Sequence, residues 1–339
     1  MKAAVLTALP AERLDLREVA RPVLREGELL VRVEVCGVCG TDLHILAGRS
    51  YSPELPFVLG HEPVGVVEAV GGAVADDWLG RRVTLTLFEG DGSCPECLAG
   101  RERLCSNMRS IRGISVAWGG FAEYMTVPVQ QAVAVPSGPA PTDVAALVDA
   151  GATAMNAAEV VISSAVTSAL VAGGGPVGFL LAGILRARGV EPVVVEPHAQ
   201  RRQSLSQSGF ASQPDLTSGR QSCEAFVDCA GVDGVTSLGL DLLGPRGLLV
   251  VVGYCRARDL DFAPVARKEL TIRGVRSGSR DHLVQVLDLL AGGELPLPPI
   301  TVWPLSHINE ALEAVRSGEA PGKAVIRIHP DRKESTWRS

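Results

Sequence analysis

Three short stretches of this chain carry side chains that can act together. Cys36-Gly-Val-Cys39-Gly-Thr41-Asp42-Leu-His44 sets two thiols beside a hydroxyl, a carboxylate and an imidazole. Gly60-His61-Glu62 adds an imidazole and a carboxylate, and Gly173-x-Gly175-x-x-Gly178 is a glycine loop of the kind that cradles phosphates. Thiolate and imidazole are preferred zinc ligands, and a catalytic zinc takes three protein ligands and keeps one position open. In combination the stretches suggest a metal-activated alcohol oxygen set against a nicotinamide ring. Each alone is a weak signal: a lone cysteine is more often a small buried hydrophobe, and lone glycine loops are common.

Cys39 and His61 are the first two candidate ligands, with Cys36 a competitor that spacing does not separate from Cys39. Asp42 reads as the partner of the far nitrogen of His61, fixing its tautomer. The third ligand stays open between Glu62, next to His61, and Asp149, which lies in the apolar run Ala145-Ala-Leu-Val-Asp149-Ala-Gly-Ala-Thr153. A buried Asp there needs a partner, and a metal supplies one; the plainer reading is a surface Asp at a helix start. The glycines Gly173, Gly175 and Gly178, with Pro176 and Val177 opening a helix, fit a dinucleotide pyrophosphate. Glu196 ends the following strand, where a carboxylate bonds ribose hydroxyls and repels a 2′-phosphate, favouring NAD over NADP. Arg201 and Arg202 follow closely and soften that preference.

The elements that must hold these residues fall into two patterns. At 339 residues the chain is long for one core, so two domains are expected. Up to about residue 150, short strands such as Leu29–Val35, Val64–Val70 and Arg82–Leu87 are punctuated by Gly and Pro. Beyond it strands alternate with helices: Ala169–Ala172, a helix from Val177 to Arg188, then strands Val193–Glu196, Ala225–Cys229 and Leu248–Val252. That alternation implies a parallel, doubly wound sheet. After residue 290 a Pro-rich run precedes a helix at Ile308–Arg316 and a strand at Ala324–Ile328, expected to return to the first domain. The expected division is thus 1–150, completed by 290–339, and 151–289. The polar tail from Asp331 is expected to fray.

The bulk numbers exclude several classes. A net charge of −6 without a basic run speaks against nucleic acid. Eight cysteines are too few for a disulfide scaffold; metal-like spacing among the early ones, with Cys223, Cys229 and Cys255 scattered, fits zinc in a reducing cytoplasm. Met1–Pro10 is too short and interrupted for a signal peptide. The uncharged stretch between Glu159 and Arg186 has the hydropathy of a membrane span, but Gly173-Gly174-Gly175-Pro176 would break it; a buried strand, turn and helix explain it better.

The accumulated motifs resemble the medium-chain, zinc-dependent alcohol dehydrogenases essentially end to end. The resemblance is carried by Gly37-Val-Cys39-Gly-Thr41-Asp42-Leu-His44, Gly60-His61-Glu62, the Cys94/Cys97/Cys105 lobe, Gly120-Phe-Ala-Glu-Tyr124, the glycine loop and Gly322-Lys-Ala-Val-Ile326. It implies an α/β protein: a β-rich GroES-like catalytic domain and a doubly wound Rossmann domain. It implies that Cys39, His61 and Asp149 bind the catalytic zinc with Glu62 close behind, and that Thr41 and His44 relay the alcohol proton. Thr153 joins the cofactor-binding residues. Relatives carry four cysteines in a structural lobe; here Cys94, Cys97 and Cys105 match the last three and Asp91 takes the place of the first, so a Cys3Asp site is expected. The implied whole is a cytoplasmic homodimer or homotetramer with two zinc ions and NAD per chain. Its substrate would be a secondary alcohol, a polyol, cyclitol or sugar-like one included, interconverted with the ketone. The alternative is a biosynthetic carbonyl, enone or imine reductase using NAD(P)H, though Thr41 and His44 favour alcohol–ketone chemistry.

Overall fold

Alternation of buried and half-exposed residues along Glu28–Val38 marks the central strand of the first unit: Leu29, Val31, Val33 and Val35 point inward. The structure is a computed structural model and describes residues 1–217, 222–254 and 260–329. Residues 218–221, Cys255 and the tail from Asp331 lie outside the described residues. The chain forms two compact units, Met1–Val148 with the segment from Ile300 on, and Asp149–Pro299.

In the first unit a seven-stranded sheet runs in the order Ala132–Ala134, Arg82–Leu85, Glu62–Val70, Glu28–Val38, Lys323–Arg327, Ile300–Pro304, with Tyr124–Pro128 also paired to Glu28–Val38. The chain's last described strand therefore sits beside an early one: Ile326 opposes Cys36 and Val325 opposes Gly37 in antiparallel register. On the other side of the same strand Gly37 opposes Glu62. This register brings Cys36–Cys39, Glu62 and Lys323 to one end of the sheet.

The second unit holds a six-stranded parallel sheet. Its order is Ala211–Gln213, Glu191–Val195, Ser168–Ala172, Cys223–Asp228, Leu243–Val251, Thr271–Gly274. Numbered along the chain this is 3-2-1-4-5-6, the doubly wound dinucleotide-binding order. Its central strands are buried on both faces, as a sheet covered by helices requires, with Val171, Phe226, Val227 and Val250 fully inside. Helices Pro176–Ala187, Ala199–Gln207, Val235–Leu242 and Ala263–Lys268 fill the crossovers. Between Gln213 and Cys223 the described residues contain no helix. Among the described residues no helix is long and apolar enough to cross a membrane. The uncharged stretch resolves into the strand Ser168–Ala172, the glycine turn and the helix Pro176–Ala187.

Candidate active site

Cys39 is the N-cap of the short helix Gly40–Leu46, and its own N–H is received by the Asp42 carboxylate at 2.9 Å. The other Asp42 oxygen lies 3.5 Å from Nδ1 of His61, with both side chains fully buried. Asp42 thus links the backbone of Cys39 to the His61 ring. Ligand atoms of Cys39, His61, Glu62 and Asp149 all lie within 4.8 Å of one another. A thiol, an imidazole and carboxylates at this separation match the ligand types and spread of a tetrahedral zinc. Asp149 directly follows Val148, the end of the first unit's main segment. It occupies the N-cap position of Ala150–Ser163 but makes no capping bond; Oδ1 instead accepts from Ser277 Oγ at 3.0 Å and Thr153 Oγ1 at 3.4 Å.

Cys36 lies outside this group. It is wholly buried, its thiol bonds the Gly37 carbonyl at 3.6 Å, and burial, then the charges of Asp42 and Glu62, push its pKa well above the ordinary thiol value. Glu62 differs from the other three members because Lys323 Nζ donates to it at 2.6 Å, and both are buried. Thr41 Oγ1 lies 3.8 Å from Cys39 Sγ. One turn on, His44 is exposed, so helix geometry sets a hydroxyl near the group and an imidazole at solvent on one face.

A second group joins Asp91, Cys94, Cys97 and Cys105, again within 4.8 Å. Cys94 caps the one-turn helix Pro95–Leu98 and its sulfur accepts the Cys97 N–H at 3.4 Å; the Cys105 sulfur accepts the Asp91 N–H at 3.4 Å. Asp91 Oδ1 receives the N–H groups of Cys94 and Ser93, each at 2.9 Å, which hold its carboxyl well below the usual carboxylate range. Sulfur atoms accepting N–H bonds beside an ionised carboxylate form a donor set suited to a closed structural zinc.

In the second unit the glycine loop joins the first strand to its helix. Gly175 is the N-cap and Pro176 the first residue of Pro176–Ala187. A Cβ on Gly178 would stand 1.8 Å from the Gly173 carbonyl oxygen, so only glycine lets the helix pack on the strand end. Glu196 does not project outward. It is buried, and its two oxygens receive the N–H groups of Gly174 at 2.8 Å and His198 at 2.9 Å. Arg201 Nη1 approaches it at 3.8 Å, and Arg202 donates to the Glu196 and Pro197 carbonyls.

An alcohol dehydrogenase GroES-like domain matches residues 25–137 and a zinc-binding dehydrogenase domain matches residues 176–292. An alcohol dehydrogenase of Geobacillus stearothermophilus is 30% identical over 98% of this chain and 100% of its own. The chain belongs to the medium-chain, zinc-dependent alcohol dehydrogenases. Another relative of this dehydrogenase is the 2-dehydro-3-deoxy-L-galactonate 5-dehydrogenase of Pseudoalteromonas atlantica, 28% identical over 90% of this chain and 93% of that one. Among solved structures, acetophenone reductase from Geotrichum candidum in complex with NAD superposes with a TM-score of 0.86 at 26% identity, covering 96% of this chain and 97% of that chain. Two residues beside the group were given no role by the sequence, Lys323, present only within Gly322-Lys-Ala-Val-Ile326, and Ser277. Lys323 had a signal, a charge at the head of the apolar run Ala324-Val-Ile326; Ser277 had none, since serine beside glycine in a loop is ordinary.

Proposed function

We propose that this dehydrogenase interconverts a secondary alcohol, among them polyols and sugar-like alcohols, with its ketone, using NAD. The convergence of Cys39, His61, Glu62 and Asp149 within 4.8 Å carries the reading. Cys39, His61 and Asp149 would hold the catalytic zinc, and Asp91, Cys94, Cys97 and Cys105 a structural one, two per chain. When bound, zinc supplies Lewis-acid polarisation of the substrate oxygen and NAD the hydride acceptor. Asp42 orients the His61 ring through Nδ1. Thr41 accepts the alcohol proton at its hydroxyl oxygen as it gives up its own hydroxyl proton, and the exposed His44 passes a proton out to water. Glu62 stays behind the site, its charge answered by Lys323.

The glycine loop and the N-terminus of Pro176–Ala187 would receive the pyrophosphate. The likeness to a neighbour solved with NAD and the negative charge of Glu196 at the end of the second strand support NAD over NADP, with Arg201 3.8 Å from that carboxylate. The same site run in reverse reduces a carbonyl, a reading favoured by the likeness to acetophenone reductase. The protein would work in the cytoplasm as a homodimer or homotetramer.

The test is zinc per chain in protein purified without added metal, followed by NAD-coupled turnover of a panel of secondary alcohols and polyols. About two zinc per chain, with turnover lost on chelation, is expected. Metal-free protein with undiminished turnover would overturn the reading.

A further inference from the structure

Asp149 is an aspartate at a helix N-cap that does not cap. Aspartate is among the best N-cap residues, because its carboxylate ordinarily takes an orphan N–H of the first turn. Here the residue has αR backbone angles, φ −101° and ψ −53°, and its Oδ1 is committed to two hydroxyls, Ser277 Oγ at 3.0 Å and Thr153 Oγ1 at 3.4 Å. Thr153 sits one turn along the same helix, where its position follows from Asp149. Ser277 is 128 residues away, so its placement needs its own cause.

That cause is visible in the loop before Arg280–Ala291. Ser277 has φ +46°, a left-handed conformation sparsely populated by any residue with a Cβ. Its carbonyl accepts from Asn156 Nδ2 at 2.6 Å, on the helix that Asp149 begins. The next residue, Gly278, packs so closely that a Cβ there would stand 2.4 Å from the Ala152 carbonyl oxygen. Ser279 then caps Arg280–Ala291 by accepting the His282 N–H, and the His282 ring bonds Glu159 at 2.9 Å, again on the helix Ala150–Ser163. The loop is fastened to that helix at Ser277 itself and again on its C-terminal side. A glycine would fit the backbone angle better, yet serine stands there, and its hydroxyl lies on the carboxylate of the metal-group Asp.

We propose that Ser277 is a positioning residue for Asp149: its hydroxyl holds Oδ1 away from helix capping and presents the carboxylate to the zinc group. The inference rests on the reading of Asp149 as a zinc ligand. A second-layer hydrogen bond of this kind typically changes metal affinity about ten- to a hundredfold.

Ser277→Ala removes the hydroxyl, and Ser277→Gly removes it while relieving the left-handed backbone. Zinc transfer to a chromophoric chelator is followed in the wild type, both serine variants and Asp149→Asn. Cobalt-substituted samples add the d–d absorption bands, which report ligand geometry and which loss of a mere loop brace would leave unmoved. Both serine variants should release the Asp149-dependent zinc about ten- to a hundredfold faster and shift the cobalt bands. Ser277→Gly should do so while melting no lower than the wild type, which separates positioning from folding. Wild-type release and bands in both serine variants, with fast release in Asp149→Asn, would sink this inference alone. Wild-type release in Asp149→Asn would remove the ligand assignment beneath it.

Discussion

Glu62 follows a proposed zinc ligand in sequence, yet its carboxylate accepts a hydrogen bond from Lys323, 261 residues away. Both are buried, so each was stripped of water on folding, and their mutual attraction offsets part of that cost. Removing one partner leaves the other charged inside the protein. Lys323→Met should therefore lower stability by about 3–5 kcal/mol, read as a fall in the urea midpoint, and Glu62→Gln added to it should recover part of the loss. An unchanged midpoint in the single variant would mean the pair is not what holds these groups. Thr41 calls for a different readout, because it is half-buried and its loss opens no large cavity. Thr41→Ala should cut alcohol oxidation by about 10²-fold or more while zinc content stays at the wild-type value; near-normal turnover would end its role as relay. At this scale residue type alone pointed to metal chemistry at Cys39 and His61, whereas Asp91 was reached only through the family resemblance. Spacing alone left Cys36 and Cys39 equivalent because it carries no direction, and the resemblance implied Cys39: Cys36 is wholly buried in the sheet, whereas Cys39 lies at a helix start.

At the scale of elements, the lobe around Asp91 has little apolar material to order it, and its turns are fastened by N–H bonds to sulfur and carboxylate. Such a loop gains much of its order from metal. Asp91→Ala removes the fourth donor and also the acceptor for the N–H groups of Ser93 and Cys94. Elemental analysis should find about one zinc fewer per chain, with a lowered Tm and proteolysis beginning in the lobe. Unchanged zinc content would take Asp91 out of the donor set. Strands were readable because alternation and Gly/Pro punctuation survive in single sequences: Arg82–Leu85 and Ser168–Ala172 fall where the pattern put them. The helix Ala150–Ser163 was harder to see. Its first nine residues are all buried, so over that length it lacks the polar face that gives a surface helix its 3.6-residue signature. That helix carries Asp149 and Thr153 and anchors the Ser277 loop, so missing it concealed the second layer of the site.

For the molecule as a whole, the change from punctuated strands to alternating strands and helices was enough to read a doubly wound second unit, because a parallel sheet needs a crossover after every strand. Assembly has no such pattern, and it must be argued from an edge. Thr271–Gly274 is the last strand of the parallel sheet, pairs with Leu243–Val251 on one side only, and has all four residues exposed. Among them Ile272 is 42% exposed, an apolar side chain on an open edge where soluble proteins usually place charge, Pro or a bulge. Identical strands meeting antiparallel across a two-fold axis would pair this edge and cover Ile272 from both sides. Ile272→Asp places two carboxylates against each other at that axis. Light scattering should then find the 35.5 kDa chain mass for the variant and a multiple of it for the wild type, with the variant's zinc content unaltered. A variant that keeps the wild-type mass would move the interface elsewhere, with the edge strand Ile300–Pro304 of the first unit's sheet next to be tested, since Val302 is likewise exposed there.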